Sequence, residues 1–293
     1  MSTGAPRFEP AQERTFSTGN GALGAVYDVS EQVSLAANYS YSQRAPTYYE
    51  LFANGPHIAT LAYEVGSATF AREKYQALDV ALRMRAGAHS GSIGAFYQRF
   101  RNFIAPVDSG NTRGADGELN PVDADGGGIA DGWGEDILRE LVYRAVPAVF
   151  RGVEAQGKYR LMERGGKLDL ELKADYVRAH NRDTGEPLPR IAPLRFGAAL
   201  GYQLERLGAR LELTRVANQR RVSTISGELP TDGYTMLNAS VSYRVLQHKD
   251  VQLSAFVRGT NLLNEEARNH VSFLKDIAPL GARAVQVGLR GSF

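Results

Sequence analysis

Five histidines and no cysteine define the metal chemistry that this sequence could support. Neutral imidazole is a common zinc ligand, and it usually joins other histidines or carboxylates in a tetrahedral set. Because cysteine is absent, thiolate metal sites, disulfides and cysteine nucleophiles are excluded. Three of the histidines fall in predicted tight turns or at a strand end and are interpreted as solvated surface residues: His89, His180 and His248.

The other two histidines lie in longer predicted loops. His57 follows a predicted strand and is flanked in the sequence by two glutamates, and His270 lies in the last long loop. The alternative for His57 is that it only packs against an aromatic neighbour, Tyr48 or Phe52. The candidate metal ligands are therefore His57, Glu64 and His270.

A second metal-binding pattern lies in the acidic stretch 123–131. Asp123, Asp125 and Asp131 occupy the first, third and ninth positions of a calcium-loop-like pattern, and calcium prefers several carboxylate oxygens. The fifth position is Gly127 rather than an acid, and the residues around it are loop-like. A flexible acidic outer loop is the favoured interpretation.

Catalytic motifs are missing from the sequence. There is no G-x-S-x-G elbow, no Gly-Lys-Ser/Thr phosphate loop and no H-E-x-x-H helix. Paired carboxylates occur only as chance neighbours, as at Glu265 and Glu266. We expect a protein that is not an enzyme and has no resident cofactor.

Composition narrows the class of protein further. Hydrophobic residues make up 43% of the 293 residues and charged residues 23%, which excludes a disordered chain. The 34 basic and 32 acidic residues are interleaved, so no basic stripe for nucleic acid is expected. Residues 1–16 lack the apolar stretch of a signal peptide, so we expect no export signal in this polypeptide. No apolar run reaches the length of about 18 residues that a membrane helix needs.

Alternation of apolar and polar residues is the strongest structural signal. In the segment 167–176, KLDLELKADY, every second residue is apolar and the residues between are charged. A period of two predicts a β-strand with one apolar and one polar face. Similar alternation predicts about eleven strands, near 16–28, 32–44, 71–86, 92–106, 137–162, 167–180, 191–205, 208–222, 233–246, 250–263 and 281–293.

The predicted connections alternate between tight turns and long segments, which is the pattern of outer-membrane β-barrels. A soluble β-sandwich is the competing fold, but its strands are usually about 5 to 6 residues long, shorter than most of these segments. The predicted fold is therefore all-β, an antiparallel transmembrane β-barrel. Because bacterial single-chain barrels have even strand numbers, the odd count predicts that strands are missing from the front.

Two stretches of the sequence resemble one known family. Residues 41–66, YSQRAPTYYELFANGPHIATLAYEVG, resemble the R-A-P-x-x-x-E-L-F segment of TonB-dependent outer-membrane receptors, and residues 261–293 resemble the last hairpin of that family. The resemblance implies a 22-stranded barrel closed by an N-terminal plug that carries the TonB box. The chain would then be a plug-free, C-terminal barrel fragment over 16–293, preceded by an unplaced segment, 1–15.

Within that family, G-P-H-x-A-T at 55–60 and the segment ending at Leu280 are most similar to the zinc-uptake subgroup. This resemblance implies that His57 completes a zinc site together with plug residues. It also implies location in the outer membrane of a Gram-negative bacterium, with membrane lipid as a partner. Further expected partners are the TonB complex through the missing plug, the barrel-assembly machinery through Phe293, and a metal or small chelate as ligand.

Three functional hypotheses follow. The first is TonB-dependent uptake of a scarce substrate, with zinc as the transported ligand. The second is a passive outer-membrane porin, and the third is a soluble β-sandwich binding module. A plug-coding sequence upstream would separate the first two, and detergent-dependent solubility would separate both from the third.

Overall fold

The computed structural model describes residues 12–121, 137–248 and 251–292. Its regular elements are thirteen strands and one short helix, α1, at Tyr48–Phe52, so the all-β prediction is confirmed. No helix within these ranges is long and apolar enough to span a membrane. The strands are β1 Gly21–Asp28, β2 Val33–Arg44, β3 Asn54–His57, β4 Ala62–Val65, β5 Glu73–Ala86, β6 His89–Gly114, β7 Ile137–Met162, β8 Lys167–Asn181, β9 Arg195–Leu204, β10 Leu207–Val216, β11 Tyr234–His248, β12 Val251–Thr260 and β13 Ala284–Ser292.

Eleven strands form one continuous antiparallel path, in the order β1-β2-β5-β6-β7-β8-β9-β10-β11-β12-β13. This confirms the predicted eleven-stranded sheet, and a single sheet argues against the β-sandwich, which needs two packed sheets. The other two strands, β3 and β4, form a hairpin in the segment between β2 and β5. β4 also pairs in parallel with β7, from Ala62 opposite Arg139 to Val65 opposite Val142.

Connections at the two ends of the sheet differ in length, as predicted. β5 and β6 are joined by Gly87 and Ala88 alone, and β9 and β10 by Glu205 and Arg206. Gly87 has a φ of +56°, a conformation that glycine adopts without a Cβ penalty. In outer-membrane barrels the end with long segments faces the cell exterior. Those segments here include 45–72, 182–194, 217–233 and 261–283.

Some strand bounds differ from the prediction, most of all at the outer end. The strand predicted at 92–106 begins at His89 and extends to Gly114, because β6 keeps pairing with β7 beyond two β-bulges. The strand predicted at 208–222 ends at Val216, since the chain then folds into a loop in which Gln219 pairs with Thr231. The sequence did not predict α1 or the β3–β4 hairpin.

The two faces of the sheet have opposite character. Leu35, Leu82 and Ile93 are aligned across β2, β5 and β6, and they are 40%, 44% and 57% exposed. The other face carries polar rows, such as Arg83 opposite Ser92. A sheet face of exposed large apolar side chains suits lipid rather than water, so the predicted alternation places lipid outside and a polar lumen inside.

Candidate functional site

The segment that follows β2 is anchored by Arg44, the arginine of the R-A-P-x-x-x-E-L-F stretch. Its guanidinium donates two hydrogen bonds to the carboxylate of Glu50, at 2.9 and 3.0 Å, and two to that of Glu73, at 3.0 and 3.3 Å. Glu50 also accepts a 2.7 Å bond from the backbone N–H of Thr47 at the start of α1. Both carboxylates are buried, and buried carboxylates need such partners. Glu50 therefore fixes the loop instead of lying beside His57.

His57 and Glu64 face each other across the β3–β4 hairpin. His57 ends β3, Glu64 lies in β4, and Nδ1 of His57 is 2.8 Å from Oε1 of Glu64. The Glu64 side chain is 8% exposed, whereas that of His57 is 50% exposed. The pair thus combines an accessible imidazole with a carboxylate held inside the protein.

Two hydroxyl groups hold the Glu64 carboxylate in place. Thr60 donates to Oε1 at 3.0 Å, and Tyr143 of β7 donates to Oε2 at 2.9 Å. Tyr143 is brought there by the parallel pairing of β4 with β7. A carboxylate so held fixes the proton of a neutral imidazole on Nδ1 and leaves the Nε2 lone pair free to coordinate a metal.

A second cluster, the Glu228 hub, joins three outer loops. The carboxylate of Glu228 accepts hydrogen bonds from the backbone N–H groups of Arg190, at 2.7 Å, and Ser223, at 3.0 Å. Nε2 of His270 lies 3.1 Å from it and Nζ of Lys275 lies 3.7 Å from it. We define the hub as Arg190, Ser223, Glu228, His270 and Lys275.

The hub is buried and electrostatically stabilised. The side chains of Glu228, His270 and Lys275 are 5%, 1% and 5% exposed. Burial opposes the charged form of Glu228. The imidazole of His270 and the two backbone N–H groups outweigh burial and hold the pKa of Glu228 below its ordinary value. The hub therefore fixes the loops against one another around a buried charge.

The hub also contacts the His57 region. The Arg190 guanidinium lies over the ring of Phe273, 3.9 Å from its centroid, and burial lowers the pKa of Arg190. The Phe273 ring meets the His57 ring edge to face, with centroids 6.4 Å apart. His57 does pack against an aromatic ring, but that ring comes from the last long loop rather than from Tyr48 or Phe52.

The structure brings two of the three predicted ligands together and places the third apart. His57 and Glu64 form one pair. His270 belongs to the hub, where Nδ1 meets the Thr231 hydroxyl at 2.9 Å and Nε2 faces Glu228. Its role as a ligand stays a prediction. The acidic stretch 123–131 and Phe293 lie outside the described residues.

Across residues 12–121, 137–248 and 251–292, no group of three or more His, Cys, Asp or Glu side chains is arranged to hold a metal ion. His57 therefore offers a solvent-accessible imidazole with an orienting carboxylate, whereas the imidazole of His270, which also faces a carboxylate, is buried. Further ligands would have to come from another part of the protein or from solvent.

Comparison with known proteins gives a family match and a set of structural neighbours. A family model described as TonB dependent receptor-like, beta-barrel matches residues 2–262. The copper transporter OprC superposes on 94% of this chain with a TM-score of 0.71 and 20% sequence identity. A variant of the ferric enterobactin receptor PfeA from Pseudomonas aeruginosa superposes on 93%, with a TM-score of 0.65 and 17% identity.

A third neighbour is the siderophore receptor PirA from Acinetobacter baumannii, with a TM-score of 0.63 and 14% identity over 93% of this chain. The match spans 40% of the length of each of these three structures. At such low identity these likenesses show a shared fold.

Proposed function

Because this chain belongs to the TonB-dependent receptor β-barrel family, we propose that it forms wall and outer mouth of a receptor that imports a scarce substrate across the outer membrane of a Gram-negative bacterium. The family is one of receptors and not of enzymes. In this proposal residues 16–293 form one barrel unit, surrounded by lipid. The energy for transport comes from the TonB complex, which acts through a plug. Phe293 is part of the signal that the barrel-assembly machinery recognises.

The proposed substrate is a transition-metal ion, with zinc as the first candidate. The observation that carries this proposal is the bond between half-exposed His57 and buried Glu64. A histidine that binds zinc almost always has a carboxylate, carbonyl or water at its other ring nitrogen, and such partners raise its basicity and fix its orientation. Glu64 acts as this orienting partner, since Thr60, Tyr143 and His57 occupy its two oxygens.

The proposed site is open and incomplete, as a transport site should be. Zinc in proteins normally takes four ligands, and His57 supplies one of them. Residues of a plug would supply others, so that movement of the plug would break the coordination set and release the ion inward. His57 would remain on the wall.

Replacement of the imidazole tests this proposal directly. In the complete outer-membrane protein that carries this chain, His57→Ala should weaken zinc binding while leaving heat-modifiable gel migration of the barrel unchanged. Glu64→Gln should weaken binding by about tenfold to a hundredfold, because carboxylate partners of zinc-binding histidines contribute on that order. Isothermal titration with ZnCl₂ measures both effects.

His248→Ala is the matched control, since it removes an exposed histidine from the far end of β11. Zinc affinity should be the same in the control and the unsubstituted protein. If His57→Ala binds zinc as tightly as the control, His57 is not a ligand and the proposed zinc site at the β3–β4 hairpin is wrong.

A metal chelate is the second candidate substrate, favoured by exposed aromatic side chains around the mouth. Tyr48 is 79% exposed, Tyr49 43% and Phe273 47%. Such rings and the Arg190 guanidinium can contact a flat, anionic chelate through stacking and cation–π interactions. Separate titrations with free ZnCl₂ and with a ferric catecholate complex distinguish the candidates, because a chelate transporter should bind the complex equally well in the unsubstituted protein, in His57→Ala and in Glu64→Gln.

A further inference from the structure

The lipid-facing rows of six adjacent strands carry charges of one sign. In β5 to β10, every second side chain points to the lipid and forms the outward row of its strand. In the regularly paired part of these strands, the outward rows consist mostly of Leu, Val, Ala, Met, Phe and Tyr. Within these rows, all of which lie in the described part of the chain, there is no aspartate or glutamate. The charged residues in these rows are all basic: Lys74, Arg99, Arg151, Arg178 and Arg215.

These cations all lie at the end of the apolar rows that faces the long segments, although β6 and β7 continue beyond Arg99 and Arg151. Arg99 is close to the first bulge of β6, Arg178 is near the end of β8, and Arg215 is the next-to-last residue of β10. The opposite ends of the same rows, near the tight turns, hold residues such as Met84 and Leu204. The asymmetry places positive charge just above the apolar band on the exterior side.

Three of the arginines form a compact cluster, here called the basic patch: Arg99, Arg151 and Arg178. Arg151 stands directly opposite Arg178 in the register of β7 and β8, and Tyr97 stands opposite Arg151 on the other side. Arg99 lies one row further out, level with Val149, which is paired with His180. Strands are about 4.8 Å apart, so the three side chains share one small area.

The basic patch lacks counter-charges in the protein. Among the described residues none of its three guanidinium groups forms an ion pair, and all three residues are exposed. Arg178 donates to the Tyr176 hydroxyl and lies over that ring, which leaves its charge uncompensated. Arg182 and Arg221 add further positive charge near His180. Like charges directly opposite each other destabilise a sheet. An anion bound from outside the protein would relieve this repulsion.

We propose that the basic patch binds the phosphate groups of lipopolysaccharide, the anionic glycolipid of the outer leaflet. The patch lies on the lipid side, at the level where phosphorylated headgroups begin, and a planar guanidinium matches phosphate through two parallel hydrogen bonds. Basic clusters next to apolar surface are the usual protein partner of anionic lipid. The inference depends on outer-membrane location and is independent of the metal site.

The test measures retained lipid on the complete outer-membrane protein. We expect native mass spectrometry to find phosphorylated lipid A or lipopolysaccharide bound to the unsubstituted protein after detergent extraction. The triple variant Arg99→Gln, Arg151→Gln, Arg178→Gln should lose it. Each basic side chain at an anionic membrane surface contributes roughly a fivefold gain in affinity, so three predict about a hundredfold loss.

The matched control removes the same number of charges from the lumen face. The control substitutions are Arg83→Gln, Arg85→Gln and Lys173→Gln, on β5 and β8, where the three side chains point into the lumen. They should leave lipid retention unchanged. Equal retention in both triple variants, or equal loss in both, would overturn the assignment.

A second measurement uses only the unsubstituted protein, so it tests the proposal even if the triple variant does not fold. The unsubstituted protein is reconstituted in nanodiscs that contain bis-phosphorylated or dephosphorylated lipid A, with inorganic phosphate as a separate arm. Thermal stabilisation by the phosphorylated lipid alone supports the proposal. Equal stabilisation by both lipids, or by inorganic phosphate without lipid, contradicts it.

Discussion

At the residue scale, Glu228 is a single carboxylate on which three outer loops depend. The change Glu228→Gln keeps the shape of the side chain but removes the charge that faces His270 and Lys275. Loss of a buried charge partner costs on the order of 1 to 3 kcal/mol, so the loops should open more often. Hydrogen exchange in 182–194, 217–233 and 261–283 should speed up together. Asp232→Asn is the control, because its side chain is 86% exposed, and it should leave exchange unchanged.

The hub also predicts a dependence on pH. The pKa of Glu228 lies below its ordinary value of 4.5, so its stabilising effect is complete above about pH 4.5 and is lost as pH falls through the lowered value. Exchange protection of the three loops should therefore be constant from neutral to mildly acidic pH and fall below that range. Glu228→Gln should remove this step, and a step that persists in the variant would assign it to another group.

Single residues of the candidate site were only partly predictable. His57 and Glu64 were found because they lie in one short stretch that resembles a known motif. Tyr143, which holds Glu64, lies 79 residues away in the sequence. No local pattern marks such a residue, since its role arises from the pairing of β4 with β7. The same holds for Glu228, whose partners come from separate loops.

At the scale of elements, the sheet was predictable because each strand is long enough to show a period of two. The β3–β4 hairpin was not, because four residues per strand are too few to show a period and pairing with β7 stabilises them. The five-residue α1 is likewise fixed by the Glu50 contacts rather than by helix propensity. Contacts between residues distant in the sequence therefore determine α1 and the β3–β4 hairpin, which local sequence patterns do not predict.

Adjacent residues of β5 provide a test of the two faces. Val80 is 38% exposed on the apolar face, and Ala81 faces the lumen beside Gly94. Val80→Lys should destabilise the folded barrel by about 2 to 4 kcal/mol, the cost of a basic residue near the membrane midplane. Ala81→Lys should have little effect, since the lumen is polar. Denaturant unfolding in lipid vesicles, followed by tryptophan fluorescence, compares the two, and equal destabilisation would contradict the assignment of faces.

At the scale of the whole molecule, the eleven-stranded path leaves β1 and β13 as its edges, each with one strand partner among the described residues. Lipid cannot hydrogen-bond to an open strand edge. We expect the 293-residue chain, refolded alone in detergent, to aggregate or to pair edge to edge. Light scattering coupled to size-exclusion chromatography measures this. A monodisperse monomer with a defined conductance in planar bilayers would show that this chain closes by itself.

The parallel pairing of β4 with β7 has a kinetic consequence. Antiparallel neighbours can form by successive hairpin closure, whereas β4 must wait for a strand that lies more than 70 residues later, from Ala62 to Arg139. Contacts of such high sequence separation form late, after the loop-closure entropy between them has been offset. Tyr143 reaches Glu64 only at that stage, and only then is His57 oriented. We therefore expect the proposed metal site to be assembled only after β7 has joined the sheet, and not in a chain that has folded only as far as β6.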